Sequence, residues 1–180
     1  MLSPLKRLFN PRTASRGTIE AIYGTIVAQA REPVFYQTLN VPDTVNGRFD
    51  MLVLHLWMLL RRLRALDGGV AAAQLLFDRF CSDMDANLRE MGVGDLTVPK
   101  RMQKFGEAFY GRAAAYDQAF AAGREAMTEA LARNVLNNPD PSRATGLYDY
   151  VEAATARLDT MDRVALETGV WQFSPSLVQA

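Results

Sequence analysis

The chain contains one histidine, His55, and one cysteine, Cys81. A serine or cysteine nucleophile would need a base beside it, and His55 is the single imidazole available. It sits inside the apolar run MLVLHLWMLL from Met51 to Leu60, the setting of a core or groove histidine rather than of a proton shuttle. Cys81 has no His or Lys beside it at helical spacing, so it reads as a half-buried, inert thiol. A zinc helix needs two histidines and a di-iron bundle needs Glu-x-x-His pairs; three residues before His55 stands Leu52. Asp83 and Asp85, two apart, point to different sides of a helix. Asp78 and Asp85 share a face but lie about 10 Å apart along it, too far to chelate one ion. Gly92-Val93-Gly94 is a fragment of a phosphate loop with no strand before it. These residues predict a protein that is not an enzyme and holds no metal and no cofactor.

The charged residues suggest binding instead. Arg61, Arg62 and Arg64 close the most apolar segment of the chain. A helix C-terminus favours cations, so they fit a structural role, or equally a basic rim beside an apolar groove. Lys100, Arg101 and Lys104 come just after Pro99, at a predicted helix start, where the dipole disfavours cations. Contact with a partner or local salt bridges would each explain them.

The elements that must position these groups are helical. Ile19, Ile22, Tyr23, Ile26, Val27 and Ala30 define an apolar face over about 18–31. Pro33 then ends the helix, and PVFYQTLNVPDTVNG reads as an extended loop. Phe49 to Leu66 is apolar nearly all round, the mark of a central bundle helix, and Gly68-Gly69 stops it. Ala73, Leu76, Phe80, Met84 and Leu88 predict a helix over about 70–91, with Gly92 as its left-handed terminus. Thr97 and Pro99 open the next helix, which bends near Ala122-Gly123 and runs on to about Leu136. Asp140-Pro141 caps a last helix that runs to Ala165 and stops at Gly169, and WQFSPSLVQA reads as a tail. The predicted fold is all-α, a single-domain bundle of about six helices.

Composition agrees. There are 180 residues, 20 Lys plus Arg against 20 Asp plus Glu, and 49% hydrophobic residues. Zero net charge argues against a nucleic-acid binder, and no sequence-specific nucleic acid is expected. A single Cys excludes an internal disulfide, and the apolar runs are too short to span a bilayer. A compact intracellular domain is the expectation. Residues 1–17 stand apart: Leu2, Leu5, Leu8 and Phe9 share a helical face beside Lys6 and Arg7, and Glu20 is the first acid. This segment is either a basic amphipathic contact to an anionic membrane surface or a terminal helix laid on the domain's own core.

Three segments carry a resemblance: VPDTVNGRFDMLVLHLWMLLRRLR (Val41 to Arg64), DMDANLREMGVGDLTVPKRM (Asp83 to Met102) and AFYGRAAAY (Ala108 to Tyr116). They resemble the ubiquinol–cytochrome c chaperone family over about residues 18–170, REMGVGD followed by VPK being the most specific part. The resemblance implies an all-α assembly factor for respiratory complex III that binds newly made cytochrome b, with a second assembly factor and the ribosome as further partners. It implies no catalytic residue. With no long presequence the chain looks like a bacterial member, placed in the cytoplasm or peripherally on the inner membrane. The expected organisation is a basic segment over 1–17, a chaperone-like domain over 18–170 and a tail over 171–180. The expected partner surface combines Tyr36, Asp43 and Arg48 with Trp57, Arg61 and Arg62, and with Lys100, Arg101 and Lys104. The alternative reading is a binding protein for a hydrophobic small molecule, a quinone or a lipid. An enclosed apolar pocket favours that alternative, and an open groove favours a polypeptide.

Overall fold

The computed structural model describes residues 16–167 and 171–173. Among them are eight α-helices and no strand: α1 Arg16–Ala30, α2 Pro33–Gln37, α3 Val45–Ala65, α4 Gly69–Glu90, α5 Val98–Ala122, α6 Arg124–Asn134, α7 Thr145–Asp159 and α8 Arg163–Glu167. Six have eleven residues or more; α2 and α8 are five-residue turns of helix. The all-α fold predicted from periodicity is the fold observed.

The centre is α3, which packs against α1, α4, α5 and α7. Thr44 caps it, its side-chain oxygen accepting from the Gly47 amide at 3.1 Å. Every residue from Val53 to Leu60 is buried, as the all-round hydrophobicity requires. Each large apolar side chain so buried contributes about 1.5–3 kcal/mol. Gly47 is needed where it stands: a Cβ there would lie 2.0 Å from the Pro42 carbonyl oxygen. Helix α4 buries Leu76, Phe80, Met84 and Leu88. It ends as predicted at Gly92, with φ 78°, and the amides of Gly92 and Val93 donate to the carbonyls of Arg89 and Leu88. Tyr23 ties α1 to α4, its hydroxyl donating to Asp83 at 2.9 Å.

Four local expectations are corrected. Pro33, read as a stop, opens α2, because proline is tolerated at a first helical position. Thr97 precedes α5 without a side-chain capping bond, its backbone being already helical. The expected bend at Gly123 is a break: with φ 105° the chain leaves α5, and the eleven-residue α6 packs back against α5, reaching as far as its middle. Asp140 does cap, accepting from the Ser142 amide, but what it caps is the 3-10 turn Pro141–Ala144. The tail reading also fails at two residues, since Trp171 and Phe173 are buried. Residues 1–15, with their Leu2–Phe9 face, lie outside the described residues.

Candidate functional site

The antiparallel return of α6 leaves an open groove of about 1080 Å³ between three elements. One wall is the segment entering α3, with Pro42, Thr44, Asn46 and Phe49. The second is a face of α5 that recurs at three and four residues: Thr97, Lys100, Arg101, Lys104, Ala108 and Arg112. The third is the end of α6 and its exit, with Arg133, Asn134, Val135 and Asn137. The half-buried Phe49 and Phe105 rings, 5.2 Å apart, form an apolar ledge within it.

The floor is polar. Asp50 is 8% exposed, and its Oδ1 lies 2.7 Å from a terminal nitrogen of Arg112. The guanidinium also lies 5.9 Å from the Phe49 ring centroid. Burial pushes the Asp50 carboxyl up to about 6, with Arg112 opposing the rise. Beneath it the buried Tyr116 hydroxyl is also raised, by burial and then by Asp50. Tyr116 Oη, Asp50 Oδ1, Arg112 Nε and Asn134 Nδ2 are buried with no partner in hydrogen-bond alignment. Unsatisfied buried polar atoms are costly, and these four have almost no accessible surface, so they lie beneath the groove rather than on its contact surface.

The expected surface residues fall into three places. Lys100, Arg101 and Lys104 line the groove. Tyr36, Asp43 and Arg48 form a cluster of their own beside the entry to α3. Arg48 Nε meets Asp43 at 2.7 Å, its guanidinium lies 5.8 Å from the Tyr36 ring, and the Tyr36 hydroxyl donates to the Ala30 carbonyl. The Arg48 hydrogen bond holds the Asp43 carboxyl below its ordinary range. Trp57, Arg61 and Arg62 are elsewhere. Trp57 is 2% exposed, packs on Tyr116 and Phe120, and donates from Nε1 to Asp117 at 2.7 Å. Arg61 pairs with Asp159 at 2.8 Å, and Arg62 donates to the Met161 carbonyl at 2.5 and 3.1 Å. The cationic end of α3 is thus a clasp onto the end of α7 and not a rim of the groove. Sequence reasoning missed Asp50, Arg112, Arg133 and Asn134. The three-and-four spacing along α5 signals Arg112, whereas the α6 residues come close only through the tertiary turn at Gly123.

His55 is a core residue. Its Nδ1 donates to the Met51 carbonyl at 2.8 Å; a carbonyl can only accept, so Nε2 is left to accept from the Tyr150 hydroxyl at 2.5 Å. Phe35 and Phe173 stand edge-on to the ring. Burial lowers the imidazole from 6.5 to about 4, so it is neutral at physiological pH. Cys81 is half-buried, and burial, then Asp78, push its thiol above the ordinary value, the opposite of an activated nucleophile. Asp83 serves Tyr23 and Arg79, and Asp85 serves Arg89. Among the described residues no three His, Cys, Asp or Glu side chains are grouped to hold a metal ion, and no helix is long and apolar enough to cross a membrane.

Residues 37–173 match the family described as Ubiquinol-cytochrome C chaperone. The crystal structure of the Cbp3 homolog from Brucella abortus is similar, with TM-score 0.78 and 38% identity over 88% of this chain and 90% of that one. The Xenopus laevis Ubiquinol-cytochrome-c reductase complex assembly factor 1 is 29% identical over 131 residues, 71% of this chain and 66% of the relative. Mitochondrial CBP3 of Saccharomyces cerevisiae is 30% identical over 148 residues, 78% of this chain and 44% of the relative. The chain therefore spans between less than half and about two thirds of these two curated relatives. A family match over residues 37–173, most of its length, makes this chain a member of the ubiquinol–cytochrome c chaperone family.

Proposed function

We propose that this protein is an assembly chaperone for the ubiquinol–cytochrome c reductase, complex III, and that it binds newly made cytochrome b reversibly through the α3–α5–α6 groove. The observation that carries the reading is the groove itself, open and basic-walled with an apolar ledge, in a chain of this family. A membrane subunit not yet inserted exposes apolar segments that aggregate. The Phe49–Phe105 ledge offers such a segment apolar contact, and Lys100, Arg101 and Lys104 offer its flanks opposite charge. No bond is made or broken in this role. A small apolar ligand is served less well, because the groove is floored by an ion pair and open to solvent. The same proposal places the protein in the cytoplasm, peripherally on the inner membrane through Leu2, Leu5, Lys6, Arg7, Leu8 and Phe9, with a second assembly factor and the ribosome as further partners.

The test is deletion of the gene, followed by measurement of assembled complex III and of b-type haem absorbance in membranes. Both should fall. A deletion strain with its full complement of complex III refutes the role. Charge reversal at Lys100, Arg101 and Lys104 should lower complex III with the helical circular dichroism unchanged; unaltered haem spectra in that strain would remove the groove from the proposal.

A further inference from the structure

The groove is selective in charge. Five of its lining side chains are cationic and one, Asp50, is anionic, and Asp50 is already matched by Arg112. Lys100, Arg101, Lys104 and Arg133 make no ion pair among the described residues; Arg31, Arg64 and Arg143 make none either, but the first four are gathered on one groove whose single carboxylate is already matched. Lys100 and Arg101 also stand in the opening turns of α5, whose first turn holds no acid, so they oppose the helix dipole with nothing to compensate them. Two buried donors at the groove, Arg112 Nε and Asn134 Nδ2, have no acceptor. Those two atoms have almost no accessible surface, so the signal is carried by the exposed cations gathered on the groove walls, which match a partner with several carboxylate oxygens.

We infer that the groove takes an extended, carboxylate-rich stretch of polypeptide, its acidic side chains meeting Lys100, Lys104 and Arg133 while an apolar neighbour rests on the Phe49–Phe105 ledge. This rests on the chaperone reading and names the chemistry of the segment that the chaperone holds. The space, about 1080 Å³, exceeds what a single small anion fills. A bilayer surface is flat and cannot reach recessed Asn134 or Arg112. An acyl chain would have to lie along the Asp50–Arg112 pair. A nucleic acid tracks a long cationic path, and this chain has zero net charge.

The experiment uses the full chain and fluorescence anisotropy. The probe is a fluorescein-labelled peptide of about a dozen residues built from Ser-Glu-Leu repeats, beside its twin with Lys for Glu. A single-stranded RNA oligomer and phosphatidylglycerol vesicles are the comparison ligands. The Glu peptide should bind at least about tenfold more tightly than its Lys twin, and more weakly as salt rises. Lys104→Ala with Arg133→Ala, both exposed positions, should weaken it about tenfold, each contact being worth a few-fold. Equal binding of the two peptides, or an unaffected double variant, overturns the inference. Binding of RNA or vesicles that depends on the same two residues, with the Glu peptide ignored, overturns it in favour of phosphate. Should the double variant lose the peptide yet restore complex III to a deletion strain, the acidic-segment idea fails and the chaperone role stands. Should deletion leave complex III intact, the chaperone role fails whatever the peptide does.

Discussion

His55→Gln isolates the electrostatic cost of the core. The native imidazole titrates near about 4, against 6.5 when exposed, because burial disfavours its cation. A depressed folded value means that the unfolded chain binds more protons between these two values. The stability tied to neutral His55 is therefore complete above 6.5 and lost as pH falls toward about 4. At about pH 5 the exposed imidazole favours its protonated form about 30-fold while the buried one is about one-tenth protonated, so unfolding gains about 2 kcal/mol; at about pH 7 the gain is about 0.2 kcal/mol. Asp50, raised to about 6, works in the opposite sense: its stabilisation is present at low pH and lost as pH rises through that value. Because Asp50 titrates alike in both proteins, the difference between wild type and variant removes it. Glutamine is uncharged and keeps a donor and an acceptor, so any cost of imperfect hydrogen bonding is the same at every pH. Urea unfolding at the two pH values should show wild type losing about 2 kcal/mol more than the variant on acidification. Parallel losses would refute the reasoning. As the sole histidine in the chain, His55 can also be followed by proton NMR without assignment, and a midpoint near 6.5 in folded protein would refute it again.

Three further outcomes follow from single contacts. Phe173→Ala should cost about 3–5 kcal/mol in urea unfolding and raise the His55 midpoint toward 6.5, since the Phe173 ring seals the imidazole at 4.9 Å; an unmoved midpoint would show that other groups do the sealing. Gly47→Ala forces a Cβ against the Pro42 carbonyl oxygen, so it should lower stability by about 1–3 kcal/mol in thermal unfolding, and a neutral result would mean that the turn yields freely. Trp57→Phe removes the indole donor to Asp117 from a site that is otherwise core, which should cost about 1–3 kcal/mol and leave peptide binding at the groove unchanged. Lost binding there would place Trp57 in the groove after all.

The helices could be read from the order of residues because their signals are local. The apolar faces of α1 and α4, the all-round burial of α3 and the terminus at Gly92 each depend on neighbours within one or two turns. The three segments that carry the family resemblance are equally a property of the linear chain, as are the single histidine and the misplaced cations at Lys100 and Arg101. Tertiary structure decided what these groups meet. Arg61 and Arg62 look from the sequence like a rim, and only the position of α7 beside α3 turns them into a clasp on Asp159 and the Met161 carbonyl. Trp57 looks like an anchor for a partner until Tyr116 and Phe120 close over it. Phe173 looks like part of a tail because its partner, His55, lies more than a hundred positions away, and Trp171 is buried against Phe173. Arg133 and Asn134 join Lys104 because Gly123 takes a positive φ and sends α6 back along α5. Backbone periodicity reports which face of a helix is buried, but which helix covers it is set by long-range packing, and there the groove is made.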